Sequence, residues 1–308
     1  MKDKLVSLIG GGGFLGRYAA QELLRAGARV RIVQRRPREA WFLKPQGGLG
    51  QTQFVAADVA LPETIARAVD GSDAVVNLAG TLAGDFHAIH VKGAQTVAQA
   101  ASRAGAGALV HVSALGADAE SPSAYGKSKA AGERVVLEAF PGATVLRPSF
   151  LFGREDQFVN RFAAMIAASR IVPVLAGRTR FQPAWVVNAA EAIVAALADP
   201  VAHGGKTYAL GGPDVLTMAE LFQWIASEIG RAPALVDLPD PIGALVAAMP
   251  GTPISGDQWR MLKADNVVAD GAPGFAALGI APVPLGSVAP GWLVQYRRHG
   301  RFGSAEAA

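Results

Sequence analysis

Leu5-Val6-Ser7-Leu8-Ile9-Gly10-Gly11-Gly12-Gly13-Phe14-Leu15-Gly16 is the stretch that decides the fold. Leu5 to Ile9 is a short apolar run suited to a buried strand. Gly10, Gly13 and Gly16 follow with G-x-x-G-x-x-G spacing. The first glycine permits a tight turn and the second lets backbone approach a pyrophosphate. The third permits close packing of helix on strand, and the helix N-terminus faces the anion. A glycine triplet by itself is equally a flexible turn. The strand–loop–helix setting favours a dinucleotide site, with Phe14 and Leu15 opening the helix beside it.

Outward from this loop, strands and helices alternate. Phe14 to Ala26 has a helical pattern, and Gly27 stands where a C-cap belongs. Apolar strand segments follow at 30–33, 53–56, 74–77, 108–112 and 144–146, with helical stretches at 62–70, 88–104 and 124–139 between them. Such alternation predicts an α/β fold with a parallel sheet and helices on both faces. After Pro148, proline and glycine interrupt the pattern. Helical windows remain at 156–169, 188–198, 217–229 and 256–264, with short strands at 171–174 and 206–210. The expected organisation is a dinucleotide-binding domain over 1–150 and a smaller substrate or partner lobe over 151–308, with an approximate boundary and interleaving allowed. Residues 303–308 read as a frayed tail.

Composition narrows the function classes. Of 308 residues, 51% are hydrophobic and 18% charged, which excludes an intrinsically disordered chain. There are no cysteines, so disulfides, thiolate metal sites and a cysteine nucleophile are excluded. The net charge of +4 is slight, and no long basic run with interleaved aromatics argues for nucleic acid. No apolar stretch approaches the ~20 residues of a membrane span. The N-terminus runs directly into a strand without a signal-peptide pattern. A cytoplasmic location is therefore expected.

Cofactor choice rests on the end of the second strand. A carboxylate there would bond a ribose 2′-hydroxyl. This chain has Gln34-Arg35-Arg36 instead. Two guanidinium groups suit a 2′-phosphate, so NADP(H) is favoured over NAD(H). Two solvated loop arginines are the other reading. Asp58 and Val59, after the third strand, stand where a side chain meets an adenine, or form an ordinary strand end.

Ser113 ends the fifth strand, and Tyr125 and Lys129 lie four apart on a helix, hence on one face. A lysine ammonium beside a phenol lowers the phenol pKa. A tyrosine so tuned exchanges a proton with a carbinol or carbonyl while hydride moves to or from nicotinamide. Ser113 holds the same oxygen. A Y-x-x-x-K pair also occurs by chance on helix surfaces, and its position after strand five argues for a role here. These three are the candidate catalytic residues, and Tyr125 and Lys129 also face the cofactor.

Taken together, the chain resembles the short-chain dehydrogenase/reductase superfamily in its extended or atypical branch. The resemblance runs through Gly10–Gly16, Asp58, Asn77-Leu78-Ala79-Gly80, Ser113, Tyr125, Lys129 and Arg147-Pro148-Ser149. It implies a doubly wound Rossmann sheet and adds Leu78, Ala79, Gly80 and Pro148 to the cofactor contacts. Arg147-Pro148-Ser149-Phe150-Leu151-Phe152-Gly153-Arg154-Glu155-Asp156-Gln157-Phe158-Val159-Asn160 is similar to the most recognisable stretch of one group. Gly13 to Tyr18, Met261 to Val268 and Leu278-Gly279-Ile280 fit the same group. It holds the NADPH-binding accessory subunits of respiratory complex I and their bacterial relatives. That likeness implies a tightly held, largely structural cofactor, complex I subunits as partners, and peripheral association with the inner face of the membrane through them. The alternative is a free NAD(P)-dependent oxidoreductase or sugar-nucleotide epimerase/dehydratase using Ser113, Tyr125 and Lys129.

Two departures stand out. Gly12 replaces a small hydroxyl residue common in the loop, which loosens one phosphate hydrogen bond. Asn188 in Trp185-Val186-Val187-Asn188-Ala189-Ala190 stands where relatives carry an acidic residue, and is expected to N-cap the following helix.

Other residues keep two readings. Arg154, Glu155 and Asp156 line a cleft or order their loop, or form a solvated helix start. Asn160 and Arg161 are pocket candidates. His87 and His90 read as surface or internally bonded histidines, without a carboxylate partner for a metal. Pro241 to Pro250, with Ile242, Leu245, Val246 and Met249, is core or a docking face. Arg297-Arg298-His299-Gly300-Arg301 meets an anionic lipid or an acidic subunit, or is a solvated tail.

Overall fold

In a computed structural model of the chain, the structure describes residues 1–248, 255–298 and 300. Two compact units interleave along the sequence. The first comprises Met1–Pro148, Val186–Leu210 and Ala269–Ala281. The second comprises Ser149–Trp185, Gly211–Val268 and Pro282–Ala308.

The first unit is built on β1 (Leu5–Ile9), β2 (Arg29–Gln34), β3 (Thr52–Ala56), β4 (Ala74–Asn77), β5 (Ala108–Val112) and β6 (Thr144–Pro148), joined by a last strand at Thr207–Leu210. They form one seven-stranded sheet in the order Thr207–Leu210, β6, β5, β4, β1, β2, β3. Every pairing in it is parallel. Helices α1 (Phe14–Arg25), α2 (Pro62–Val69), α3 (Ala94–Arg103) and α4 (Ala124–Ala139) supply crossovers. Val6, Leu8, Ile32, Val75 and Val76 are fully buried, as strands covered on both faces require. Each such side chain contributes about 1.5–3 kcal/mol by leaving water. Ser7, also buried in β1, is satisfied by the Ala68 carbonyl at 2.8 Å and the Ser72 hydroxyl at 2.7 Å. Helix α1 packs against the helix Val186–Ala198.

Strand order reverses between β1 and β4. The chain winds outward through β2 and β3, then returns to lay β4 on the other side of β1. Ile9 of β1 stands opposite both Val33 and Asn77. The loops after β1 and β4 therefore open side by side at the carboxyl end of the sheet, where ligands bind in such folds.

The helix expected at 88–104 divides into a π-helical run, His87–Gly93, and α3. The stretch after β2 is a 3-10 run over Pro37–Gln46 that the sequence reading did not anticipate. Asn188 lies inside the helix Val186–Ala198 and not at its N-cap. Its amide donates to Glu191 at 2.8 Å, one turn on, so the side chain serves the helix from within.

Among the described residues the second unit carries three two-stranded ribbons. Leu151–Phe152 pairs with Ala184–Trp185, Arg180–Phe181 with Leu216–Thr217, and Ile171–Leu175 with Ala234–Leu238. Its core gathers Phe152, Ile166, Val172, Phe181, Leu221, Phe222, Ile225 and Leu293. Helix Met218–Glu228 opens with a capping box, in which Thr217 Oγ1 accepts from Glu220 N at 3.2 Å and the Glu220 carboxylate accepts from Thr217 N at 2.7 Å. Within 241–250 the chain is helical to Ala248, with Ile242 and Leu245 exposed. Met249 and Pro250 lie outside the described residues, as do His299, Arg301 and the tail 303–308. Arg297 donates to the Glu228 carbonyl at 2.9 Å, which ties it to its own unit. Among the described residues no helix is long and apolar enough to cross a membrane.

Candidate functional site

The glycine loop has the shape its spacing implies. Gly10 has φ +81°, a region L side chains avoid. A Cβ on it would lie 3.2 Å from the Leu78 carbonyl carbon, so the loops after β1 and β4 touch backbone to backbone. A Cβ on Gly16 would lie 2.5 Å from the Gly11 carbonyl oxygen, which only glycine avoids. Gly13 is the N-cap of α1 and no side chain caps that end. The backbone N–H groups opening α1, at Phe14 and Leu15, are thus left for an anion. The loop fits a pyrophosphate.

Gly12 has a different explanation from a lost phosphate bond. A Cβ there would run into the Gln34 carboxamide, which itself donates to the Arg36 carbonyl at 2.6 Å. Gln34 ends β2 where a carboxylate would stand, and its side chain folds over the loop. Arg35 and Arg36 are both exposed just beyond it. Arg36 holds Glu39 at 3.2 Å in an exposed ion pair, an attachment worth little in water. Asp58 accepts from Ala60 N, two residues on, at 3.0 Å. Val59 is buried and closes on Gly93, where a Cβ would lie 2.8 Å from Val59 Cγ2.

The Ser–Tyr–Lys group comes together at the end of β5. Ser123 caps α4 by accepting from Gly126 N at 2.9 Å, which sets Tyr125 in the first turn and Lys129 one turn on. Lys129 is 5% exposed and its Nζ donates to the Val112 carbonyl, the residue before Ser113, at 3.3 Å. The same Nζ is 5.8 Å from the Tyr125 ring centre and 3.5 Å from where a Gly80 Cβ would be. Gly80 therefore lies against the Lys129 ammonium. Pro148 ends the neighbouring β6, and its carbonyl accepts from Leu115 N at 2.9 Å.

Electrostatics correct one expectation. Burial pulls Lys129 down to about 8, against the Glu133 carboxylate that draws it up. Burial also pushes Tyr125 up to about 12. The lysine does not bring the phenol down, because loss of water around the phenol outweighs a cation that is itself desolvated. Ser113 Oγ is buried without a hydrogen-bond partner. An orphan hydroxyl costs about 1–3 kcal/mol, which a ligand oxygen meeting it would recover.

Of the two histidines read as surface or internally bonded, His90 is the internally bonded one. The structure buries it between the loop after β4 and α4, while His87 is exposed. Asn77 and His111 are a second buried pair, Nδ2 to Nδ1 at 3.1 Å. Burial holds His90 at about 4 and His111 at about 3, with the Lys129 charge adding to both, so both are neutral near pH 7. In the second unit, Asp156 is buried and accepts from Gly153, Phe158 and Asn160 N–H groups at 3.1, 2.8 and 3.2 Å. It orders its loop by backbone hydrogen bonds, and Arg154 and Glu155 are exposed. Asn160 accepts from the Tyr296 hydroxyl at 3.1 Å.

Comparison with known proteins agrees with this geometry. A family model described as the NAD dependent epimerase/dehydratase family matches residues 6–211. The chain is 35% identical over 321 residues to NADH dehydrogenase [ubiquinone] 1 alpha subcomplex subunit 9, mitochondrial, of Arabidopsis thaliana, covering 97% of this chain and 80% of that protein. It is 33% identical over 253 residues to a ceramide reductase of Caulobacter vibrioides, covering 79% and 78%. A solved structure of an NADPH-dependent quinone oxidoreductase from Escherichia coli, complexed with NADPH, shares the fold. The TM-score is 0.75 at 18% identity, over 92% of this chain and 97% of that one. With the matched family spanning the parallel sheet and its glycine loop, the chain belongs to the NAD dependent epimerase/dehydratase family.

Proposed function

We propose that this chain is an NADP(H)-holding accessory subunit of a respiratory NADH:quinone oxidoreductase, with a cofactor that is mainly structural. The observation that carries this is the likeness to the alpha subcomplex subunit 9 over 97% of the chain. Its place is the inner face of the membrane, reached through partner subunits.

The site supports the reading. Gly10, Gly13 and Gly16 with the N–H groups of Phe14 and Leu15 hold the pyrophosphate. Arg35 and Arg36 hold the 2′-phosphate, and Asp58 and Val59 border the adenine. Leu78, Ala79, Gly80 and Pro148 wall the nicotinamide end. A bound nicotinamide supplies hydride exchange with a carbonyl or carbinol carbon. Tyr125 stays protonated at neutral pH, since burial pushes it up to about 12. The test is native purification from membranes. The expected result is co-migration with the quinone oxidoreductase and NADP(H) retained through exhaustive dialysis. A free protein that loses its nucleotide at once overturns the proposal.

A second reading is a free NADP(H)-dependent oxidoreductase or epimerase. It is favoured by the unpartnered Ser113 hydroxyl and by the likeness to a ceramide reductase. Here Ser113 orients the substrate oxygen, Tyr125 holds the proton for it, and Lys129 supports Tyr125. Loss of nicotinamide absorbance on adding a ceramide-type carbonyl substrate to the NADPH-loaded chain would select this reading.

A further inference from the structure

His90 lies in the π-helical run His87–Gly93 and is 2% exposed. Both of its ring nitrogens are engaged. The Thr81 N–H donates to Nε2 at 3.0 Å, so Nε2 is the acceptor and the ring proton sits on Nδ1. Nδ1–H then donates to Ser128 Oγ at 2.8 Å. Ser128 Oγ in turn donates a hydrogen bond to the Tyr125 carbonyl at 2.7 Å. The chain of donors runs one way, from the loop after β4 to the Tyr125 turn of α4.

Packing fixes the ring in that plane. Phe86 stacks on it at 5.6 Å with 8° between planes. Tyr125 meets it edge-on at 5.3 Å and 90°. A Cβ on Gly132 would collide with the His90 carbonyl, so α4 presses directly on the π-helical run. Only the neutral ring serves this arrangement, because an imidazolium has no acceptor for Thr81. Burial keeps the ring neutral near pH 7.

We infer that His90 is a positioning residue that joins the Leu78–Thr81 loop to the Tyr125 turn through one neutral imidazole, setting both walls of the nicotinamide end together. This rests on the reading above that those segments face the dinucleotide. Both nitrogens of His90 are spent on the protein.

Two substitutions separate the two ends of the link. In His90→Asn the amide nitrogen takes the place of Nδ1, keeps Ser128 and leaves the Thr81 N–H without an acceptor. In His90→Gln the amide oxygen reaches the place of Nε2, keeps Thr81 and leaves Ser128. Both lose the aromatic stacking alike, so the contrast between them reports the hydrogen bonds. Hydrogen exchange of the Thr81 amide is read without nucleotide, and NADPH affinity is read by calorimetry. His90→Asn is expected to speed exchange at Thr81 about tenfold and weaken NADPH about tenfold, the size of one lost hydrogen bond. His90→Gln is expected to keep Thr81 protected and to weaken NADPH only severalfold, as the loss of the Ser128 end alone should. Ser128→Ala, a smaller change, cuts the far side of the link and is expected to weaken NADPH severalfold with Thr81 still protected. Equal exchange at Thr81 in the two His90 variants overturns the inference. So does unchanged NADPH affinity in all three variants. If the wild type fails to bind NADPH, the cofactor reading falls, while exchange at Thr81 still decides whether His90 holds the loop.

Discussion

Lys129→Met should remove a pH dependence that the wild type carries. The Lys129 ammonium is buried, and burial pulls it down to about 8 from an ordinary value of 10.5. The unfolded chain therefore binds one more proton than the folded chain between about pH 8 and 10.5. Stability must rise with pH across that window, and the full penalty is present below it. The shift corresponds to about 3 kcal/mol, of which about 2 kcal/mol is regained between pH 7.5 and 10. Methionine has similar length and no charge, so the variant keeps the packing and loses the titration. Urea denaturation of nucleotide-free protein at pH 7.5 and pH 10, wild type against variant, reads the difference directly. The stability difference should move by about 2 kcal/mol in favour of the wild type as pH rises. Comparing the two chains cancels the other groups, including Tyr125, whose raised value makes stability fall above pH 10 in both. A difference that does not change with pH would show that Lys129 stays solvated, and the described burial of the site would be wrong.

The glycine loop and the buried ion pair give further tests. Gly16→Ala places a methyl 2.5 Å from the Gly11 carbonyl oxygen and should cost about 1–3 kcal/mol. A lowered thermal midpoint checks it, with Gly116→Ala, which meets no atom within 4 Å, as the near-neutral control. Arg147 binds Glu133 in a bidentate pair, 2.8 and 2.6 Å, with the carboxylate side chain 8% exposed. Arg147→Met should cost about 2–3 kcal/mol by stranding that carboxylate, at the lower end because the arginine is itself partly solvated. Adding Glu133→Leu should recover most of the loss in denaturant titration, since the stranded charge is gone.

Much of the first unit was legible because its signals are local. A strand followed by Gly10, Gly13 and Gly16 leaves few backbone paths, and Gly10 and Gly16 occupy positions where a Cβ is excluded. The buried strands β2, β4, β5 and β6 show as apolar runs bounded by polar or glycine residues, and the half-exposed edge strand β3 does so more weakly. Two-residue strands such as Leu151–Phe152 and Arg180–Phe181 carry no period and could not be read. The 3-10 run Pro37–Gln46 was hidden by prolines at both ends. A π-helical run shifts a helix by one residue, which a 3.6-residue pattern does not reveal, so His87–Gly93 read as plain helix. The trio Ser113, Tyr125 and Lys129 was singled out as a candidate by order and spacing. The direction of the Tyr125 shift was not, because it depends on how much water the fold leaves around the phenol. Internal bonding of His90 was one of its two readings, but its partners were not legible, since Thr81 and Ser128 stand 9 and 38 residues away.

In the proposed cofactor site, Arg35 and Arg36, beyond Gln34, select NADP(H). Titration calorimetry of NADP⁺ and NAD⁺ against the wild type and against Arg35→Ala/Arg36→Ala tests it most directly. The account predicts that the wild type binds NADP⁺ at least about tenfold more tightly than NAD⁺, and that the double variant loses this preference while still binding NAD⁺. Equal affinities in the wild type, or an unchanged preference in the variant, would contradict it.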